Sequence, residues 1–304
     1  MHVTDRDFQR YLRAKRTVDD RALDETLLDR VRAELLAKAR DRDGPIRILE
    51  VGAGIGTMIQ RFVDRDLFPG GEIEYVAVDV DHANVRTMRR RIPEWAETLG
   101  FDVSDERTIV ASGADRTLSI EPVEAEATAF VDGDPRAWDL LIGAALLDVL
   151  RLDRLPALLS SLDPGGLAYF PITFDGATRF LPADPADRAV ERHYHRHMDA
   201  KPGGDSRAGD HALDRLHGRS DATMLGVAGS DWIVRPDGGT YPADEAYFLS
   251  YILDTVEAAV GELDRDDDLS DAVLEDWIAR RRGQLAAGDL AYHTHQLDLL
   301  ARVD

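Results

Sequence analysis

Ile48-Leu49-Glu50-Val51-Gly52-Ala53-Gly54-Ile55-Gly56-Thr57 runs from an apolar segment through an acid into three glycines spaced two apart. The apolar run 46–51 predicts a buried strand, and Met58, Ile59, Phe62 and Val63 recur at helical spacing directly after the glycines. A strand feeding a glycine turn that opens a helix lets a ligand come close to the backbone, where a Cβ would collide with it. Thr57 stands where the dinucleotide fingerprint carries its third Gly or Ala, which counts against a nicotinamide enzyme.

Outward from this turn, short apolar runs alternate with helical stretches, the pattern of a parallel sheet covered on both faces. A second strand over 73–78 ends at Asp79, where a carboxylate can accept both hydroxyls of a ribose. A helix over 83–91 is expected to stop at Pro93, with residues 100–117 as a polar connection. Further strands are predicted at 118–123, 138–142 and 167–174, the last preceded by the turn Asp163-Pro164-Gly165-Gly166, with a helix over 152–162. Residues 175–205 break the alternation with Pro182, Pro185 and Pro202 and suit a lid over a substrate. A helix over 208–216 follows, then a closing antiparallel pair at 223–227 and 232–234, two more helices, and an apolar tail at 290–300 with helical spacing.

The expected fold is therefore α/β: a Rossmann-like, seven-stranded, mostly parallel sheet with an antiparallel closing strand and helical additions at both ends. Residues 1–45 form an N-terminal helical cap, 46–236 the sheet domain with the lid-like insertion at 175–205, and 237–304 a C-terminal helical extension.

Composition limits the partners. Among 304 residues, 58 Asp and Glu oppose 37 Lys and Arg, for a net charge of −21, and only Lys15, Lys38 and Lys201 are lysines. Such a surface repels a phosphate backbone, so no nucleic-acid partner is expected. The acids are scattered along the chain, which suits a protein adapted to high salt and predicts loss of structure at low ionic strength as repulsion is unscreened. The absence of cysteine excludes disulfides and any thiol nucleophile. Charges occupy Met1-His2-Val3-Thr4-Asp5-Arg6-Asp7, where a secretory leader needs an apolar run, and the greasy stretch 140–150 is too short to span a bilayer. A cytoplasmic protein without a membrane partner is expected.

With Glu50, the glycines and Asp79 in this order, the chain resembles the class I S-adenosylmethionine-dependent methyltransferases over roughly residues 46–236. Taken whole it resembles uncharacterised members, of a haloarchaeal type, that pair Tyr11-Leu12-x-x-Lys15 with a tail like His295-Gln296-Leu297-Asp298-Leu299-Leu300. The resemblance implies S-adenosylmethionine as cofactor. It places Glu50 near the methionine ammonium, Gly52, Ala53, Gly54 and Gly56 along the cofactor, and Asp79 with Val80 at the ribose. Glu126 with Ala127 falls at the adenine, with Glu124 as alternative, and Gly143 falls beside the transfer site. Three carboxylates around a cationic sulfonium make electrostatic sense.

Methyl transfer is an in-line displacement, so the protein has to hold a nucleophile behind the methyl group with water excluded, and a base is needed only for a protonated nucleophile. The Asn/Asp-Pro-Pro-aromatic motif of nucleic-acid amino methyltransferases is absent after the fourth strand, which reads Ile142-Gly143-Ala144-Ala145. A small-molecule O or N nucleophile is the expected acceptor. His193, His195 and His197 are the candidate bases, and Asp175, Thr178 and Arg179, just past the fifth strand, the candidate substrate contacts. His193 and His197 lie at i and i+4 but lack an evident third ligand, so no metal is expected. A homodimer is a possible assembly to test, and two other readings stay open: a non-catalytic scaffold subunit, and aminopropyl transfer on the same fold.

Overall fold

The computed structural model describes residues 5–41, 43–105, 108–263 and 269–304. Residues 1–4, used in the leader reading, lie outside these.

Three helices come first: α1 (Asp5–Ala14), α2 (Arg16–Ala22) and α3 (Glu25–Asp41). The α3 stripe Leu27, Leu28, Val31 and Leu35 is buried against the sheet domain. Then follow β1 (Ile46–Val51), α4 (Thr57–Asp64), β2 (Gly71–Asp79), α5 (His82–Thr98), β3 (Asp102–Asp105), β4 (Ile109–Ser112), β5 (Arg116–Glu124), α6 (Ala127–Gly133) and β6 (Trp138–Ile142). A single 3-10 turn (Leu152–Arg154) leads into α7 (Leu155–Leu159), β7 (Leu162–Leu181), α8 (Asp187–Ala200), α9 (Ala208–His217), β8 (Ala222–Gly229) and β9 (Trp232–Val234). The chain closes with α10 (Glu245–Gly261), α11 (Asp271–Ala287) and β10 (Ala291–Val303).

The ten strands form one sheet in the order β3-β4-β5-β2-β1-β6-β7-β10-β8, with β9 on β10. The central five, β5 to β7, are parallel. They read as continuous apolar runs because helices cover both faces; every residue of β6 is buried. From β1 the chain steps outward through β2 to β5, then returns to place β6 on the other side of β1. The resulting crevice, at the carboxyl ends of β1 and β6, is where open α/β sheets bind ligands.

The α/β, mostly parallel architecture is as the sequence predicts, but the sheet has ten strands where seven are expected, the helix over 152–162 is cut to a 3-10 turn and α7, and four other elements differ. Helix α5 runs through Pro93, because Met88, Ile92 and Ala96 are all buried and hold both halves in line. The polar connection at 100–117 contains the β3–β4 hairpin. Strand β7 is 20 residues long and takes in the first residues of the predicted lid segment.

The largest difference is the tail. Residues 291–303 are not helical: β10 inserts between β7 and β8, so 223–227 and 232–234 both pair with β10 and not with each other. The alternation that marks β10 is carried at its inward positions by Thr294, Gln296 and Asp298, polar side chains that hydropathy reads as outward-facing. The extension 237–304 is thus helical only through α11.

Candidate functional site

The glycine turn lines the crevice. Gly52, Gly54 and Gly56 all have positive φ (69°, 56° and 79°), a region open to glycine and costly for other residues. Ala53 N–H donates to the Val78 carbonyl at 3.0 Å, pinning the turn to the end of β2, and Gly56 caps α4. A Cβ on Gly52 would stand 2.8 Å from Leu146 Cδ1, so the loops after β1 and β6 meet here. Across the crevice, Gly143 donates to the Tyr169 carbonyl at 3.0 Å, and a Cβ on it would strike Phe170 at 2.9 Å.

Two acids flank the turn. Glu50 is 2 % exposed and accepts a hydrogen bond from the Tyr75 hydroxyl at 2.7 Å. Burial pushes its carboxyl up to about 8 against the opposing pull of Tyr75 and Arg61, so it is largely protonated at neutral pH. Asp79 accepts from Gly54 N–H at 2.7 Å through Oδ2, and from Asp81 N–H at 2.9 Å and Asn84 Nδ2 at 3.2 Å through Oδ1. Burial raises it above the ordinary carboxylate range although these three donors work the other way. Its carboxylate is thereby fixed at the lip of the crevice. Next to it Val80 is 74 % exposed, a bare apolar side chain beside a polar site.

Glu126 sits at the N-terminus of α6, where Oε2 accepts from Ala129 N–H at 2.8 Å and Thr128 Oγ1 at 2.6 Å; Ala127 is the first helical residue. Burial pushes the Glu126 carboxyl up, and these bonds outweigh it and hold it low. Glu124 meets His82 Nδ1 at 2.6 Å on the surface. The Ala125 N–H donates to the Asp79 carbonyl at 3.1 Å, which brings the β5–α6 loop to the same crevice.

Beyond β6 lies a group to which the sequence reading gives no role. Asp148 Oδ1 is shut off from solvent and has no hydrogen-bond partner among the described residues. Burial pushes this carboxyl up to about 6, with Lys15 opposing and Asp205 reinforcing the shift. Tyr194 on α8 feels its charge: burial and Asp148 together raise the phenol to about 12. Tyr11 on α1 is within electrostatic reach of Tyr194 and stacks on Tyr251 at 4.2 Å and Phe248 at 5.6 Å, both on α10. Asp148 is thus an electrostatic neighbour of Tyr194 and Lys15, and Tyr194 of Tyr11. The available signal was a lone acid in the apolar stretch 140–150.

The predicted acceptor-side residues lie farther along β7 and α8. Asp175 Oδ1 accepts the Asp210 N–H at 2.9 Å in the first turn of α9, and Arg179 is exposed in register with His293. Thr178 Oγ1 meets His195 Nε2 at 2.9 Å, and its N–H donates to Glu191 at 2.7 Å. Burial lowers His195, with Glu191 and Asp199 opposing. His193 Nδ1 meets the Ala189 carbonyl at 2.8 Å inside α8, whereas His197 Nε2 meets Glu262 at 2.7 Å. The three histidines therefore have separate partners. Among the described residues no group of His, Asp and Glu side chains is arranged to hold a metal ion, and no helix is long and apolar enough to cross a membrane.

No family profile and no curated protein matches the chain. Solved structures are similar to it at a distance. The plantazolicin methyltransferase BamL, in complex with a triazolic desmethylPZN analog and SAH, is 12 % identical with a TM-score of 0.39, over 96 % of this chain and 90 % of that one. Phosphoethanolamine N-methyltransferase 2 of Haemonchus contortus, in complex with phosphomonomethylethanolamine and S-adenosylhomocysteine, is 13 % identical at 0.39, over 90 % and 52 %. Cofactor-bound Rv0187 from MTB is 12 % identical at 0.37, over 72 % and 82 %.

Proposed function

We propose that this protein is an S-adenosylmethionine-dependent methyltransferase acting on an oxygen or nitrogen nucleophile of a small molecule. The observation that carries the reading is the crevice between β1 and β6, where a positive-φ glycine turn lies between a buried acid, Glu50, and a fixed one, Asp79. The residues suit the cofactor. Gly52, Ala53, Gly54 and Gly56 offer a close backbone, Asp79 a carboxylate for ribose hydroxyls, and Val80 an apolar surface for a base. Glu50 offers a charge complement to an ammonium or sulfonium. When bound, S-adenosylmethionine supplies a methyl group on a positively charged sulfur.

The chain's own part is to bind, dry and deprotonate the acceptor. Helix α1, which reaches Gly54 through Leu12 and is braced by Tyr11 stacked on Phe248 and Tyr251, helps to exclude water. Asp148 Oδ1 accepts a proton from the acceptor's O–H or N–H; a carboxyl near 6 is ionised at neutral pH and basic enough for that task. Tyr194 orients the acceptor next to it. A net charge of −21 favours a small acceptor over nucleic acid, within a cytoplasmic setting.

Isothermal titration with S-adenosylmethionine, in salt that keeps the protein folded, tests the reading. Saturable binding is expected, weakened about 30-fold by Asp79→Ala as charge-assisted hydrogen bonds are lost. Absence of binding overturns it and favours a scaffold; unchanged affinity in the variant shows that Asp79 has no part in the cofactor site. Mass spectrometry of cell extract incubated with isotope-labelled methyl donor then names the acceptor.

A further inference from the structure

Helices α1 and α5 enclose a cleft of about 540 Å³ lined by Gln9, Arg13, Arg86, Thr87 and Arg90. Its charge runs against the rest of the molecule. In a chain of net charge −21, many arginines elsewhere lie against carboxylates, among them Arg10 on Asp244, Arg47 on Glu74, and Arg282 on Asp254 and Glu257. Arg13, Arg86 and Arg90 have no ion-pair partner among the described residues. One turn after Thr87, Arg91 carries a second anomaly: its Nη1 is shut off from solvent without a hydrogen-bond partner among those residues. Burial pushes the Arg91 guanidinium below its usual value, and Arg13, Arg16 and Arg90 add to that, with Glu94 opposing. Like charges brought together around an unsatisfied donor are costly unless an anion comes between them.

We propose that this cleft is a binding site for an oxyanion of the phosphoryl class, gripped by Arg13, Arg86 and Arg90. Planar guanidinium forks match phosphoryl oxygens two at a time, and three of them balance a dianion better than a single carboxylate. The Thr87 hydroxyl adds a neutral donor. The volume lies within the range of small-molecule sites, so the group can arrive as free phosphate or as the phosphoryl end of a metabolite. The cleft also touches the crevice: Gln9 Nε2 donates to Asn84 Oδ1 at 3.1 Å, and Asn84 Nδ2 donates to Asp79 Oδ1 at 3.2 Å. An occupant lies against Gln9, two hydrogen bonds away from Asp79, although its binding does not depend on the methyltransferase reading.

The test is titration of the purified full chain, without cofactor, with inorganic phosphate and separately with glycerol 3-phosphate. One equivalent should bind, and the double variant Arg86→Ser/Arg90→Ser should weaken it about tenfold or more. Both side chains are exposed, so the variant keeps its fold, which circular dichroism verifies. Tighter binding of glycerol 3-phosphate assigns the site to a phosphorylated metabolite, and equal binding assigns it to free phosphate; either supports the proposal. No saturable binding of either probe, or wild-type affinity in the double variant, overturns it.

Discussion

Two groups of acids drawn in from solvent in this protein are satisfied differently. At the seam between the N-terminal helices and β9–β10, Asp19 accepts the Trp232 indole N–H at 3.0 Å, Lys15 at 2.7 Å and Arg61 at 3.1 Å. Asp298, on the same seam, accepts N–H groups of Asp24 at 3.0 Å and Ile172 at 2.8 Å and the Tyr169 hydroxyl at 3.4 Å. Ile172 has φ of 58°, strained for a β-branched residue, and Asp298 holds its amide in place. At the carboxyl edge of the sheet, Glu50 has the Tyr75 hydroxyl alone among the described residues, and Asp148 Oδ1 has none. An acid with a full set of donors ties elements together. An acid buried short of donors destabilises the fold, and its retention points to a ligand or proton that completes it.

The largest effect belongs to the seam. Arg61→Met takes a fully buried guanidinium from Asp19, which keeps Lys15 and Trp232, and from Asp20, and should cost about 3–5 kcal/mol in urea unfolding. A loss below about 1 kcal/mol would place this pair among the exposed, weak ones and erase the contrast. At the edge, Asp148→Asn should lower kcat roughly a hundredfold while leaving stability equal or better, because a poorly paired buried charge is removed. Wild-type kcat should fall as pH drops below about 6, where Asp148 takes up its proton. If the variant unfolds as readily as Arg61→Met, Asp148 belongs with the frame.

The smallest effect is a pH slope. Burial raises Glu50 to about 8 in the folded chain, above its unfolded value, so its contribution to stability is present in full below the unfolded value and is lost as pH rises through 8. A cationic cofactor favours the ionised form, so S-adenosylmethionine affinity should rise between pH 6 and 8, by at most about tenfold per pH unit. Glu50→Gln should flatten that rise in titration calorimetry. A flat wild-type profile would mean that Glu50 does not face the cation.

The glycine crevice was legible because it is local. Glu50, the glycines and Asp79 sit at strand ends that apolar runs mark, and the turn's backbone alone demands glycine. The proposed acceptor side was not, because Asp148 becomes a candidate only beside Tyr194 of α8, much further along the chain. The α8 histidines drew attention by number, yet helical spacing cannot say which partner each one meets: Ala189, Thr178 and Glu262 come from α8, β7 and the end of α10. The arginine cleft escaped for the same reason, since Arg13 and Arg86 meet only when α1 docks on α5.

By itself the sequence determined the alternating α/β order, the parallel core and the turn that opens the crevice, since hydropathy period and glycine content act within a few residues. Only the tertiary structure decided that the tail is a strand. The inward side of β10 carries Thr294, Gln296 and Asp298, and Asp298 tolerates burial because donors from Ile172, Asp24 and Tyr169 reach it from distant parts of the chain. Local pattern records which residues avoid water. It does not record which polar groups find partners when the chain closes, and that pairing set the places of β10, Asp148 and the arginines.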